Sequence, residues 1–295
     1  MSNIEQNIIY GWKGHSLKHD DIILTAIAEL GGRIISLKFH GIELMFVQKD
    51  HTGETFDFSS NSAELREEKL RMGFRLWGGD KTWIAPQSEW LEGIPPIDLD
   101  AGKYSVKTSE NSISMISPIC RETGLRITRM VSAHKRNSIK ISQIITNHGA
   151  GSVNKGIWNV TQFLRPVSVR LPAPYEKIIA CENEGESSRI KNQIVQTVNN
   201  ESEIICNHYL HYKYGVLLQN PGMVTSLIHA EGKKIIHKRF FFSDPHLQYA
   251  HKASVEVYNS PDSNYMELEI HSPVKILSPG ESLHHDQVWE FVCDG

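Results

Sequence analysis

The stretch YMELEIHSP, residues 265–273, puts two carboxyl groups, Glu267 and Glu269, two positions apart in a run that otherwise reads as a β-strand. Successive strand side chains point to opposite faces, so Met266, Leu268 and Ile270 share one face and Tyr265, Glu267, Glu269 and His271 the other. Such a face is either solvated, as on many antiparallel strands, or holds an acid and a base side by side. In the second case each carboxylate disfavours ionisation of its neighbour, which leaves one group bearing a proton and one able to take it near neutral pH.

A second stretch with chemical content is GFRLWGGDKTWIAPQSEWLEGIPPIDLD, residues 73–100. It contains Trp77, Trp83 and Trp90, half of the six Trp residues of the chain, together with Arg75, Asp80 and Lys81. Indole faces are flat apolar platforms on which the C–H patches of a sugar ring stack, and charged side chains can hydrogen-bond its hydroxyls. The alternative is a tryptophan cluster that plugs one end of a sandwich. His208 and His211, in HYLHYKYG, would suit a metal on a helix, but on a strand an i, i+3 pair diverges. His284 and His285 follow the turn PGES and read as solvated. The chain has no GxSxG elbow, dinucleotide-binding glycine fingerprint or P-loop, which removes support for triad hydrolysis, nicotinamide redox chemistry and phosphoryl transfer. Neither a cofactor nor a metal is expected.

The elements that would position these groups are strands. Runs rich in Ile, Val, Thr and aromatics recur between turn residues: SISMISPI, LRITRMVSA, SIKISQIITN, GIWNVTQF, YGVLLQN, VTSLIHA, IIHKRFFF, ASVEVYNS, YMELEIHSP and QVWEFV. This is the pattern of an all-β sandwich built from antiparallel connections, with hairpin chemistry at HGAG (148–151), NPG (220–222), AEGKK (230–234) and SPDSN (260–264). One helix is expected, over NSAELREEKLRM, with Ser62 as its cap. The polar segment 181–203 reads as a loop, and the whole of 1–295 as one β domain.

Composition limits the partners. With 40% hydrophobic and 22% charged residues the chain can bury a sizeable core. A formal charge of −3 with dispersed Lys and Arg argues against nucleic acid. No apolar run approaches the ~20 residues that span a bilayer, and the N-terminus lacks a signal-peptide pattern, so no membrane association and a cytoplasmic location are expected. Cys120, Cys181, Cys206 and Cys293 are too dispersed for a zinc or disulfide framework.

The segments GGRIISLKFHGIELMF, FRLWGGDKTWIAPQSEW, GIWNVTQF and YMELEIHSPVKILSPGESLHHDQVWEF, in that order, resemble landmarks of the aldose 1-epimerase (galactose mutarotase-like) superfamily. The resemblance runs from about Asp21 to Phe291 and implies an antiparallel β-supersandwich with a concave sugar site on one sheet. It also implies that the strand before the PG turn supplies the general base for an anomeric hydroxyl, Glu269 in first place and Glu267 in second. Arg75 would hold the substrate. Asn159-Val160-Thr161-Gln162-Phe163 stands where the family carries a histidine acid, and the histidine position reads as valine. Gln162 can hydrogen-bond a ring oxygen but is no acid, so Lys213 or a nearby His replaces it, or the chain does not perform mutarotation.

The expected site therefore comprises Glu269 and Glu267 as catalytic groups, with Arg75, Trp77, Lys81, Trp83, Trp158, Gln162, Lys213 and His271 around a small-molecule sugar bound by a monomer or homodimer. The expected activity is acid/base interconversion at a sugar anomeric carbon. The alternatives are a sugar-binding protein without catalysis and a β-sandwich lyase acting on uronic sugars.

Overall fold

The computed structural model describes residues 2–59, 61–182, 184–207 and 209–294. Its strands form two antiparallel sheets, which is the all-β sandwich read from the sequence. The larger sheet has 12 strands, and its central path runs Arg33–Phe39, Asp80–Ala85, Val153–Leu164, Tyr265–His271, Val255–Asn259, Tyr212–Val216 and Ile179–Glu182. The smaller sheet has 10 strands, with Gly222–Ala230, Lys233–Phe241, Ser282–Asp294 and Ser138–Asn147 at its centre.

Strand alternation explains where the core lies. Ile84, Ile157, Phe163, Val255, Val257, Met266, Leu268, Ile270, Tyr212 and Tyr214 point from the larger sheet into one apolar cluster, where Ile139, Ile141, Ile145, Trp289 and Phe291 of the smaller sheet meet them. That buried layer also carries a polar knot. Arg129 reaches across from the strand Leu125–Ala133 to pair with Asp80, both fully buried, and donates to the Gly32 carbonyl at 2.8 Å. Asp80 also accepts from Asn159 at 2.8 Å and Thr161 at 2.5 Å, while Gln287 donates to Asn159 at 3.0 Å. Asp80, Asn159 and Thr161 lie on the two strands that carry Lys81, Trp83 and Trp158, so the knot fixes the back of the candidate site.

Several local readings change. AEGKK and SPDSN do close hairpins, the first with Glu231 at φ 51° and Gly232 at φ 74° as a two-residue turn needs. HGAG and NPG instead carry the chain from one sheet to the other. The helix Ser62–Met72 forms, but Asn61 caps it, with Oδ1 accepting from the Ala63 and Glu64 amides at 2.9 and 3.5 Å; the side chain of Ser62 lies outside the described residues. The segment 181–203 is not a loop: it contains a helix, Glu184–Ile194, and two strands. Ser187, Ile190 and Ile194 recur at helical spacing and are buried, a short apolar stripe that the surrounding charges hide in the sequence. His285 is 3% exposed rather than solvated, because it faces inward on the long strand Ser282–Asp294, whereas His284 is exposed. No helix among the described residues is long and apolar enough to cross a membrane.

Candidate active site

On the central strands of the larger sheet, the face turned away from the core is polar. The register places Lys81, Val160, Glu269 and Glu256 in one row across four adjacent strands, with Trp83, Trp158 and His271 in the row beside it. Gln162, Glu267, Tyr258 and Lys213 form the row on the other side. This is the second face of YMELEIHSP, and it is enclosed: Glu269 and His271 are no more than 1% exposed. Only Glu267 retains partial access, with 14% of its side chain exposed.

Lys213 organises the centre. Its ammonium stands 3.0 Å from Glu269, 3.3 Å from Glu256 and 3.3 Å from Glu182. Burial works against its charge, yet Glu269, Glu256 and Glu182 together hold it well above the usual lysine range. The Trp158 indole N–H donates to the same Glu269 oxygen, Oε2, at 2.7 Å, which leaves Oε1 buried without a partner. Burial pushes the Glu269 carboxyl well above the usual range against the pull of Lys213, and Glu256 and Glu267 add to the rise. Glu256 behaves oppositely: despite burial, Lys213 and hydrogen bonds from His251 and His271 hold it well below the usual value. Both imidazoles bond the same Glu256 oxygen at 2.9 Å, and because an ionised carboxylate only accepts, His251 Nδ1 and His271 Nε2 carry the protons. His271 is itself held neutral, its pKa lowered mainly by burial.

On the other flank, Gln162 Nε2 donates to Glu267 at 2.7 Å, and Lys81 Nζ lies 3.9 Å from the same carboxylate and 3.9 Å from the Trp83 ring centroid. Burial lowers the Lys81 ammonium to about 8, with Glu267 opposing the shift. The register sets Lys81 and Glu269 on either side of Val160, the position where the resemblance leads one to expect a histidine.

The ten expected site residues thus fall into three groups, of seven, one and two. Glu267, Glu269, Lys81, Trp158, Gln162, Lys213 and His271 share this one face. Trp83 belongs with them but presents little free surface: it packs edge-on against Trp90 and Trp158 at 5.2 and 5.0 Å, so the tryptophans stack on each other. Arg75 and Trp77 sit in a neighbouring group. Both bind Glu54, Arg75 Nε at 2.9 Å and Trp77 Nε1 at 2.8 Å, and Trp77 is buried among Trp12, Ile27, Leu30 and Ile35. Among the described residues no contact links either to the two glutamates. His211 lies 3.7 Å from Glu182, while His208 is outside the described residues.

Sequence reasoning missed Glu256, His251 and Glu182. An open pocket of about 430 Å³ is lined by these three with Lys213, Gln87, Cys181 and Lys252, so it meets the cluster from the Glu256 side rather than at Glu269. Period-2 alternation in SVEVYNS places Glu256 on the same face type as Glu267, which was the available signal; His251 lies in a loop, where no periodicity applies.

No protein-family model matches the chain, and no curated protein matches it in sequence. Solved structures do. A Synechocystis protein aligns at a TM-score of 0.62 and 11% identity, covering 97% of this chain and 98% of its own. A galactose mutarotase related enzyme from Lactobacillus acidophilus aligns at 0.58 and 11% identity, over 95% and 97% of the two chains. A galactose mutarotase-like protein from Clostridium acetobutylicum aligns at 0.55 and 11% identity, over 99% and 98%. With two antiparallel sheets matched over nearly the whole length, the chain has the galactose mutarotase-like fold.

Proposed function

We propose that the protein interconverts the anomers of a sugar by acid/base chemistry, with Glu269 as general base and Lys81 as general acid. The reading is carried by the pairing of Lys81 and Glu269 across Val160 on one sheet face. Mutarotation requires one group to take the anomeric hydroxyl proton and another to protonate the ring oxygen as the ring opens. A carboxyl raised from its usual value is a stronger base, and an ammonium lowered to about 8 is a stronger acid, so both move toward the operating pH. Lys213, held firmly charged, is the poorer proton donor and instead fixes the Glu269 carboxyl. Glu267 and Gln162, bonded to each other beside Lys81, supply acceptors and a donor for ring hydroxyls.

The test is anomer exchange followed by NMR across a panel of aldoses. Glu269→Gln and Lys81→Met should each slow exchange by ~10²–10⁴-fold on the sugar that reacts, while binding persists. Exchange unaffected by either change would overturn the assignment.

A second reading, sugar binding without turnover, is favoured by two observations: the residue between the two groups is an apolar valine, and Glu269 is fully enclosed. A sugar that binds but exchanges no faster than in buffer decides for it. The uronic-sugar lyase loses ground on charge, since Glu182, Glu256, Glu267 and Glu269 outnumber Lys81 and Lys213 on this face and would repel a substrate carboxylate.

A further inference from the structure

Beside the proposed acid/base pair, on the pocket side of Lys213, lies a group that mutarotation does not use. His251, from the loop before the strand Val255–Asn259, Glu256 on that strand and His271 on the next converge so that one ligand atom from each lies within 4.8 Å of the others. We propose that His251, Glu256 and His271 bind a first-row divalent transition-metal ion, zinc being the natural occupant, at the wall of the 430 Å³ pocket.

Three observations carry this. The first is spacing. Two ligand atoms each about 2.1 Å from a tetrahedral ion are roughly 3.4 Å apart, so His251 Nδ1 and His271 Nε2, both 2.9 Å from Glu256 Oε2, need open from that oxygen by only about half an ångström to admit it. The second is the donor set. Two imidazoles and one carboxylate match zinc, iron(II) or manganese, whereas calcium and magnesium favour all-oxygen shells. The third is charge and access. The pocket wall carries three carboxyl groups, Glu182, Glu184 and Glu256, against two ammonium groups, Lys213 and Lys252, which leaves formal negative charge for a dication to offset. Glu256 and His251 also line the open pocket, so the remaining coordination positions would face space large enough for water or sugar hydroxyls. The His271 ring is stacked on Trp158 with centroids 5.5 Å apart, and the His251 ring meets the same indole edge-on at 4.7 Å, which holds both imidazoles in place before any ion arrives.

Metal entry would move the ring proton that now points at Glu256 to the other nitrogen of the same imidazole, so two hydrogen bonds to Glu256 are exchanged for coordinate bonds to the ion. Metal binding on the pocket side of the cluster is separate from mutarotation and is measured without any sugar.

The protein, stripped with chelator, is titrated with Zn²⁺ by calorimetry and with Co²⁺ by visible absorption. One ion per chain and a cobalt d–d band are expected. His251→Ala, a loop residue whose replacement leaves both sheets intact, and Glu256→Gln should each weaken the affinity by roughly 100-fold or more, while His211→Ala, which removes a histidine outside the triad, leaves it unchanged. Circular dichroism verifies that each variant is folded. Absence of one-to-one binding, or a folded His251→Ala that binds Zn²⁺ like the parent, overturns the proposal.

Discussion

Trp158 and Glu269 lie diagonally across two adjacent strands, and the indole N–H donates to the carboxyl Oε2 at 2.7 Å in a fully buried setting. The bond fixes which oxygen of Glu269 remains unpartnered, because Lys213 binds Oε2 as well. Trp158→Phe keeps the ring stack on His271 and Trp90 while deleting the donor. A buried acceptor that loses one partner costs ~1–3 kcal/mol, so urea unfolding should show a loss of that size. Anomer exchange should slow as well, since the base is no longer oriented. An unchanged unfolding midpoint would mean that the indole bond contributes nothing.

The raised carboxyl of Glu269 fixes the sign of a pH effect. A group whose folded pKa lies above its unfolded value, here ordinarily 4.5, contributes stability that is fully present below that value and is lost as pH climbs toward the folded pKa. Glu269→Gln keeps the shape of the protonated carboxyl and cannot ionise. Relative to the parent it should therefore gain stability steadily as pH rises from about 4.5 toward neutrality. Denaturant midpoints at intervals of pH measure this. A parent and variant that run parallel would show that Lys213 has cancelled the burial effect.

How far the sequence revealed this site depends on which residues periodicity governs. Alternation along 265–271 assigned Glu267, Glu269 and His271 to one face, and the register confirms that geometry because a strand has only two faces to offer. It could not say whether that face is wet. The face is largely enclosed because distant loops cover it: Trp90 packs on Trp158, and His251 lies against both Trp158 and His271. Lys213 and Glu256 are 43 positions apart in the chain yet belong to paired strands, a relation that only the sheet order reveals. Trp77 and Arg75 misled for the opposite reason. Their closeness in sequence to Trp83 suggested one aromatic wall, but the chain passes Gly78 and Gly79 at positive φ between them, and Trp77 turns toward Trp12 and Glu54 instead.

His285 should control part of the acid response. Burial lowers its pKa to about 4 from the ordinary 6.5, and its Nε2 has no partner. A depressed histidine contributes stability above the unfolded value that is lost as pH falls from 6.5 toward 4, up to about 3 kcal/mol for a shift of this size. His285→Leu removes the titrating group, so its stability should fall less over that window than the parent's. Equal slopes would assign acid unfolding to other groups.

Arg129 and Asp80 form a fully buried pair between the sheets, and Asp80 also anchors Asn159 and Thr161 behind the site. Breaking such a pair from one side leaves a charge without compensation, at ~3–5 kcal/mol. Arg129→Met should show that loss by chemical denaturation. Asp80→Asn/Arg129→Met together should recover part of it, which separates charge imbalance from lost packing. Two single losses that simply add would rule out coupling between the partners.

Lys213 offers the sharpest separation of structural from catalytic effects, because one ammonium contacts three carboxylates from three strands. Lys213→Met leaves Glu256 and Glu269 buried without their cation, so a loss of ~3–5 kcal/mol is expected, as for a broken buried pair. Adding Glu256→Gln removes one of the stranded charges and should return a large part of that stability. It does not restore the cation that holds the Glu269 oxygen, so anomer exchange in the double variant should remain as slow as in Lys213→Met. Measuring both quantities on the same four proteins closes the cycle. If exchange recovers together with stability, the lysine acts only through folding and its contact with Glu269 has no part in the chemistry.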